Sequence, residues 1–437
     1  MEYIYIDEKG PQNSFKKTNP FDKENKIAYG NDNMHVFVAN VVRIPEYILK
    51  NLEEEYQIIE KEYLKTRKFK EGSELKGSMI LKDNFEHGIY SLKKNEISFY
   101  SQFFKLLNDN NIDNLLFSIS KMSLIIDSRL NDWILYCGEH LHISAVLLKY
   151  TLTKYASIEA SESVIEALFD KASTNVNQVL QTIKEDFENI INQNIDNPRM
   201  QLQINSYKEI ISLINFTKNM ENIEPTINAK FNWEKVSFKM DLWLLEYNHI
   251  NNSDQKNIDL ILDEGIPTAP FEQFNFNSIR QNAKSEEHVG LRISDILVTI
   301  TGSYISKLTS DTHYNFDQPT KTKYVSPIYF NLTKSKFELL KQMNKFFFKE
   351  NKTYGFGVDT YFDQGLLFES FLTYINEYNT FDSYNKIDLT KHVQLHWEKL
   401  AFMMQEKYTL ASYSESKTIE VYGSLKKAIQ EGIAHPL

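Results

Sequence analysis

At 437 residues and 51.4 kDa the chain exceeds one ordinary hydrophobic core, so two or three domains are expected. Its 42% hydrophobic and 25% charged residues are the proportions of a folded protein. With 49 Lys+Arg against 59 Asp+Glu, the net charge of -10 excludes a generally basic nucleic-acid coat but permits a local basic groove. The single cysteine, Cys137, excludes an internal disulfide framework and a cysteine-only zinc site, and fits a reducing, cytoplasmic setting. The opening residues lack the basic and apolar regions of a signal peptide. No stretch approaches the roughly 18 apolar residues of a membrane span.

Tyr3-Ile4-Tyr5-Ile6 reads as a short strand ending in a turn at Asp7-Glu8-Lys9-Gly10-Pro11. His35-Val36-Phe37-Val38-Ala39-Asn40-Val41-Val42 reads as a buried central strand, completing a hairpin with the first. Pro45 opens a helix over about 45–68, with Leu49, Leu52, Tyr56, Ile59 and Tyr63 on one face. A short, glycine-bounded segment, Glu74-Leu75-Lys76-Gly77, comes next. A helix is expected over about 96–109, then strand character over 115–120 and again over 121–127. The pattern is helical from about 130 to 222. Strand character returns over 256–265, a helix over about 290–307, and four helices over about 335–350, 363–378, 389–407 and 415–431. This order predicts an α/β core of residues 1–128 and 255–310, a helical insertion at 130–222 and a helical C-terminal region at 311–437.

Strand ends are where α/β folds present chemistry, because side chains there leave the packed sheet. Two apolar runs stop in Asp-Glu, at Asp7-Glu8 and at Asp263-Glu264. Asp295 lies inside an otherwise apolar helix, where an ionised carboxylate is costly unless it is paired or binds a cation; Arg292 is the obvious candidate partner. Together with Glu74, these acids could form a cage of hard oxygen ligands for Mg²⁺ or Mn²⁺. Two such ions about 3.5–4 Å apart are the arrangement that promotes phosphodiester hydrolysis.

Ile-Asp7-Glu8-Lys9-Gly10, Glu74-Leu75-Lys76-Gly77, Leu-Ile-Leu-Asp263-Glu264 and Leu-Arg-Ile-Ser-Asp295-Ile-Leu-Val together resemble a bacterial family, the domain-of-unknown-function family 3800. That family opens on Asp-Glu-Ser-Gly, continues with Glu-hydrophobic-Lys and closes on a helix bearing (Ala/Ser)-Asp-hydrophobic. The resemblance covers about residues 1–128 and 255–310. It implies a ribonuclease-H-like mixed-sheet core and a divalent-metal nuclease, with Asp7, Glu74, Asp263 and Asp295 as both catalytic acids and metal ligands. It also suggests a part in bacterial defence against phage or mobile elements. Glu8 and Glu264 are reserve ligands, and Lys76 and Lys9 candidate phosphate-binding cations. Lys9 stands where the family has Ser, which alters the turn or puts a cation beside the site.

Other chemistries find less support. Cys137, His140 and His142 cluster, but zinc asks for four convergent ligands and no second cysteine exists. Neither a glycine-rich phosphate loop nor a serine-nucleophile elbow occurs. Basic runs at Lys65-Thr66-Arg67-Lys68-Phe69-Lys70, Lys93-Lys94, Lys321-Thr322-Lys323 and Lys334-Ser335-Lys336 could track a phosphate backbone. The sequence thus leads to a metal-dependent nuclease acting on DNA or RNA. The alternative is a non-catalytic binding or scaffold protein on the same fold, its helical regions serving a homo-oligomer or another partner.

Overall fold

The computed structural model describes residues 1–10, 16–17, 27–28, 34–69, 74–82, 84–170, 175–218, 231, 233–251, 254–314, 322–349, 352–435 and 437. Its strands are β1 (Glu2–Lys9), β2 (Lys16–Lys17), β3 (Ile27–Ala28), β4 (Val36–Pro45), β5 (Asp113–Ser120), β6 (Ile258–Leu262), β7 (Ser278–Arg280), β8 (Thr312–Tyr314), β9 (Lys323–Val325) and β10 (Phe356–Val358). Six of them form one mixed sheet in the order β10-β5-β4-β1-β6-β7. β4 is antiparallel to both β1 and β5, whereas β6 runs parallel to β1, β7 to β6 and β10 to β5. β4 is the central strand expected, and its Val-, Ile- and Phe-rich run is buried on both faces along nearly its whole length.

The helices are α1 (Glu46–Thr66), α2 (Gly77–Leu81), α3 (Lys94–Asp109), α4 (Lys121–Leu141), α5 (Ala145–Ile158), α6 (Glu162–Phe169), α7 (Val176–Asn194), α8 (Gln201–Thr217), α9 (Trp233–Asn251), α10 (Val289–Ser310), α11 (Lys334–Phe347), α12 (Asp363–Asn376), α13 (Phe381–Asn385), α14 (Leu389–Tyr422) and α15 (Leu425–Gln430). The pleat of β1 sorts its side chains between two cores. Tyr5 faces a core built with α1, α3, α10, α11 and α12, while Ile4 and Ile6 face one that includes Trp233 and Trp243 of α9. Helices α4 to α8 enclose a further core, closed by Leu425 and Leu437. No helix among the described residues is long and apolar enough to cross a membrane.

Several elements differ from the sequence reading. Residues 121–127 are the first turns of α4, not strand: the run Lys-Met-Ser-Leu-Ile-Ile-Asp is buried nearly throughout, and so short an apolar run has no periodicity to separate helix from strand. β1 continues through Asp7 to Lys9, so the turn starts at Gly10, whose φ of 126° only glycine adopts easily. The region after 311 is not wholly helical: it contributes β8 and β9, and its β10 pairs with β5 in the main sheet. The helices expected over 389–407 and 415–431 are instead one of 34 residues followed by the six-residue α15. Lys70 and Lys321 of the basic runs lie outside the described residues.

Candidate functional site

The parallel register that sets Ile6 beside Leu262 carries on one residue further, where the Asp263 N–H donates to the Ile6 carbonyl at 3.1 Å. Asp7, two residues before the end of β1, and Asp263, just past β6, therefore stand side by side. Each shares its pleat face with a residue of the α10-side core, Tyr5 for Asp7 and Ile261 for Asp263. Helix α10 crosses that face. Ser294 donates to the Asn40 carbonyl at 3.0 Å, opposite Asp7 in the β1–β4 ladder. Gly290 sets the helix close: a β-carbon there would lie 2.1 Å from the Tyr5 ring.

Arg292 does not pair with the next acid along α10. Its guanidinium donates to Glu60 at 2.9 Å and lies 3.7 Å from Glu53, both on α1. Asp295 is left to face the sheet end, where its charge bears on Asp7.

Glu74 reaches the site on a strap, residues 74–77, held down at several points. The Leu75 N–H donates to Glu60 at 3.1 Å and the Gly77 N–H to Asp295 Oδ2 at 2.7 Å. Lys76 Nζ lies 2.9 Å from Glu74 and donates to Ser285 Oγ at 2.7 Å. A β-carbon on Gly77 would stand 2.7 Å from Thr299 Cβ and 3.0 Å from the Asp295 carbonyl. Gly77→Ala should therefore lift the strap and cost about 1–3 kcal/mol, read as a lower Tm and faster amide exchange over 74–77. An unchanged Tm and exchange rate would show that the strap is not held this way.

The crowded acids disturb one another. Burial, then the charges of Asp263, Asp295 and Glu8, push the Asp7 carboxyl well above its ordinary range, and the Glu8 N–H offsets only part of this. Burial raises Asp295 as well, against the Gly77 N–H, Lys76 and Lys9. Burial works against the Lys76 ammonium, but Glu74, Asp295 and Asp263 outweigh it and its pKa is raised. Asp7, Glu74, Asp263, Asp295, Lys76 and Lys9 thus meet in one electrostatic neighbourhood.

The reserve ligands leave the α10 face, although the Glu8 charge still bears on Asp7. The strand pleat turns Glu8 to the face opposite Asp7, and Glu264 is exposed in the turn after β6. Elsewhere, Cys137 is buried and its thiol is pushed up to about 12 by that burial.

The sequence reading did not find Glu60, Ser285 and Asn40, which position the strap and α10. Glu60 sits on the buried face of α1 and carried a faint signal, an acid in an apolar stripe; Ser285 and Asn40 carried none.

The carboxylate oxygens suit a hard divalent cation, with the Lys76 and Lys9 ammonium groups beside them. Among the described residues, however, no three His, Cys, Asp or Glu side chains stand in an ion-holding group. No protein-family model, curated protein or solved structure matches the chain, so the family resemblance rests on its motifs alone.

Proposed function

We propose that the chain is a divalent-metal-dependent nuclease with a ribonuclease-H-like core, hydrolysing phosphodiester bonds of DNA or RNA. The observation that carries this reading is the charge crowding of Asp7 and Asp263, side by side near the C-terminal ends of adjacent parallel strands, with Asp295 on the helix across them. A cluster in which burial and like charge both oppose ionisation favours whatever cation can neutralise it. The mixed sheet, with acids where parallel strands end, supports the fold assignment.

Asp7, Asp263 and Asp295, joined by Glu74, would hold Mg²⁺ or Mn²⁺. When bound, such ions make water a nucleophile near neutral pH and stabilise the leaving oxygen. The protein's own residues prepare the site. Glu60 and Asp295 hold the strap, the strap carries Glu74, and Ser285 and Glu74 fix the Lys76 ammonium where it can pair with a substrate phosphate. Lys9 adds a second cation beside Asp295.

The alternative, a non-catalytic binding protein on the same fold, is favoured by one observation: the described acids do not yet stand in an ion-holding group. A metal titration followed by thermal unfolding separates the two. With Mn²⁺ at about 100 times its Kd, mass action should stabilise the wild-type chain by about 2.7 kcal/mol, and Asp263→Asn should lose that gain. A Tm indifferent to Mn²⁺ and Mg²⁺ would overturn the nuclease reading in favour of the binding protein.

A further inference from the structure

Helix α14 runs for 34 residues, and its buried positions are few: His392, Val393, His396 and Glu415. Glu415 anchors the C-terminal half by accepting the Ala145 N–H at 2.7 Å. Beyond residue 400 a stripe of large apolar side chains stands in open solvent: Phe402 (62% exposed), Leu410 (60%), Tyr413 (61%) and Val421 (69%). At 3.6 residues per turn these four, together with Glu406, Lys417 and Glu420, fall within an arc of about 100° and along about 28 Å of helix. A monomer gains nothing by lining up such residues on one exposed face.

The order of the stripe is palindromic. Phe402 and Val421 stand equally far on either side of the midpoint between Ala411 and Ser412. The same is true of Glu406 and Lys417, and of Leu410 and Tyr413. We infer that α14 is a self-association surface, on which a second copy of this chain docks antiparallel about a two-fold axis through that midpoint. Such an isologous contact asks residue i to meet j and j to meet i. Here it sets Phe402 against the partner's Val421, Leu410 against the partner's Tyr413, and the acid Glu406 against the base of the partner's Lys417, each pair formed twice. Lys417, which lies 2.6 Å from Glu420 on its own helix, exchanges one exposed partner for another. One helix per protomer is a small contact, so the dimer is a reversible one that fills with concentration.

Sedimentation velocity of the full chain at low ionic strength, from low micromolar to a few hundred micromolar, tests this. The wild type should shift from monomer to dimer across that range. Glu406→Lys alone and Lys417→Glu alone each put like charges together twice, and each should weaken the dimer about tenfold or more. The charge arrangement makes a sharper demand: mixing the two single variants restores both opposite-charge contacts, so the mixture should dimerise where neither variant does alone. The double variant should behave as the wild type. A chain that stays monomeric throughout overturns the inference, as does a dimer that ignores charge reversal or variants that are not rescued by mixing. None of these readings depends on cleavage or on metal.

Discussion

Asp7→Asn should remove metal-dependent cleavage and, in the same protein, raise the Tm measured at neutral pH without metal. The loss follows from the clustering of Asp7 with Asp263 and Asp295, whose charges both bear on it. A ligand that helps supply several kcal/mol of transition-state stabilisation accounts, at about 1.4 kcal/mol per factor of ten, for about a thousandfold in rate. The gain in stability follows from the same crowding. A carboxyl whose pKa is raised on folding contributes fully to stability below its ordinary range, about pH 4, and that contribution is lost as pH rises through the folded value. Asparagine mimics the protonated form. The Tm difference between Asp7→Asn and wild type should therefore be positive at pH 7, shrink as the pH is lowered and vanish below about pH 4. Saturating Mn²⁺ should reverse its sign, because only the wild type gains by binding. A variant no more stable than wild type in EDTA at pH 7 would mean that the acids are not in conflict.

The largest loss of stability should come from a different carboxylate. Asp359 follows β10 and is almost fully buried, within 2.9 Å of Lys235 and 3.6 Å of Lys149, and it accepts the Ser123 hydroxyl. Asp127 completes the group, 2.6 Å from Lys149 and 3.1 Å from Lys235. Burial opposes the Asp359 charge, but Lys149 and Lys235 outweigh it and hold the carboxyl well below the usual range. The four side chains tie α4, α5 and α9 to the strand end, so they join the helical core to the sheet. Asp359→Ala would leave two buried ammonium groups to share one partly exposed carboxylate, at a cost of about 3–5 kcal/mol. Because the pKa is depressed, the contribution of Asp359 is present at neutral pH and lost only as pH falls far below the ordinary carboxylate range. Chemical denaturation of Asp359→Ala at pH 7 checks this; a change under about 1 kcal/mol would show that the lysines are solvated or neutral.

What the sequence disclosed, and what it withheld, follows from how local each signal is. Asp7 and Asp263 were legible because each ends an apolar run, and Asp295 because an acid interrupts an apolar helix. Their adjacency was not, since it depends on β6 pairing with β1 across some 250 residues of chain. Asp295 also shows how a sequence neighbour misleads: Arg292, one turn away, is engaged by Glu60 of α1. β7 and β10 are three residues each, too short for any pattern, and exist because an edge strand was there to pair with. Gly355 and Gly357, before and within β10, further weaken any strand signal there. The break expected between 407 and 415 does not occur: the Ser-, Thr- and Tyr-bearing stretch there is only mildly disfavoured in a helix, and α14 packs against α5.

Cleavage itself tests the central claim most directly. Single- and double-stranded DNA and RNA would be incubated with the wild-type chain and with Asp263→Ala, each in Mg²⁺, Mn²⁺ and EDTA. The account predicts cutting of at least one substrate by the wild type with metal, none in EDTA, and a loss of about a thousandfold in Asp263→Ala. Cleavage that survives EDTA or the loss of Asp263, or a panel left intact by a wild-type chain whose Tm ignores both ions, would contradict it.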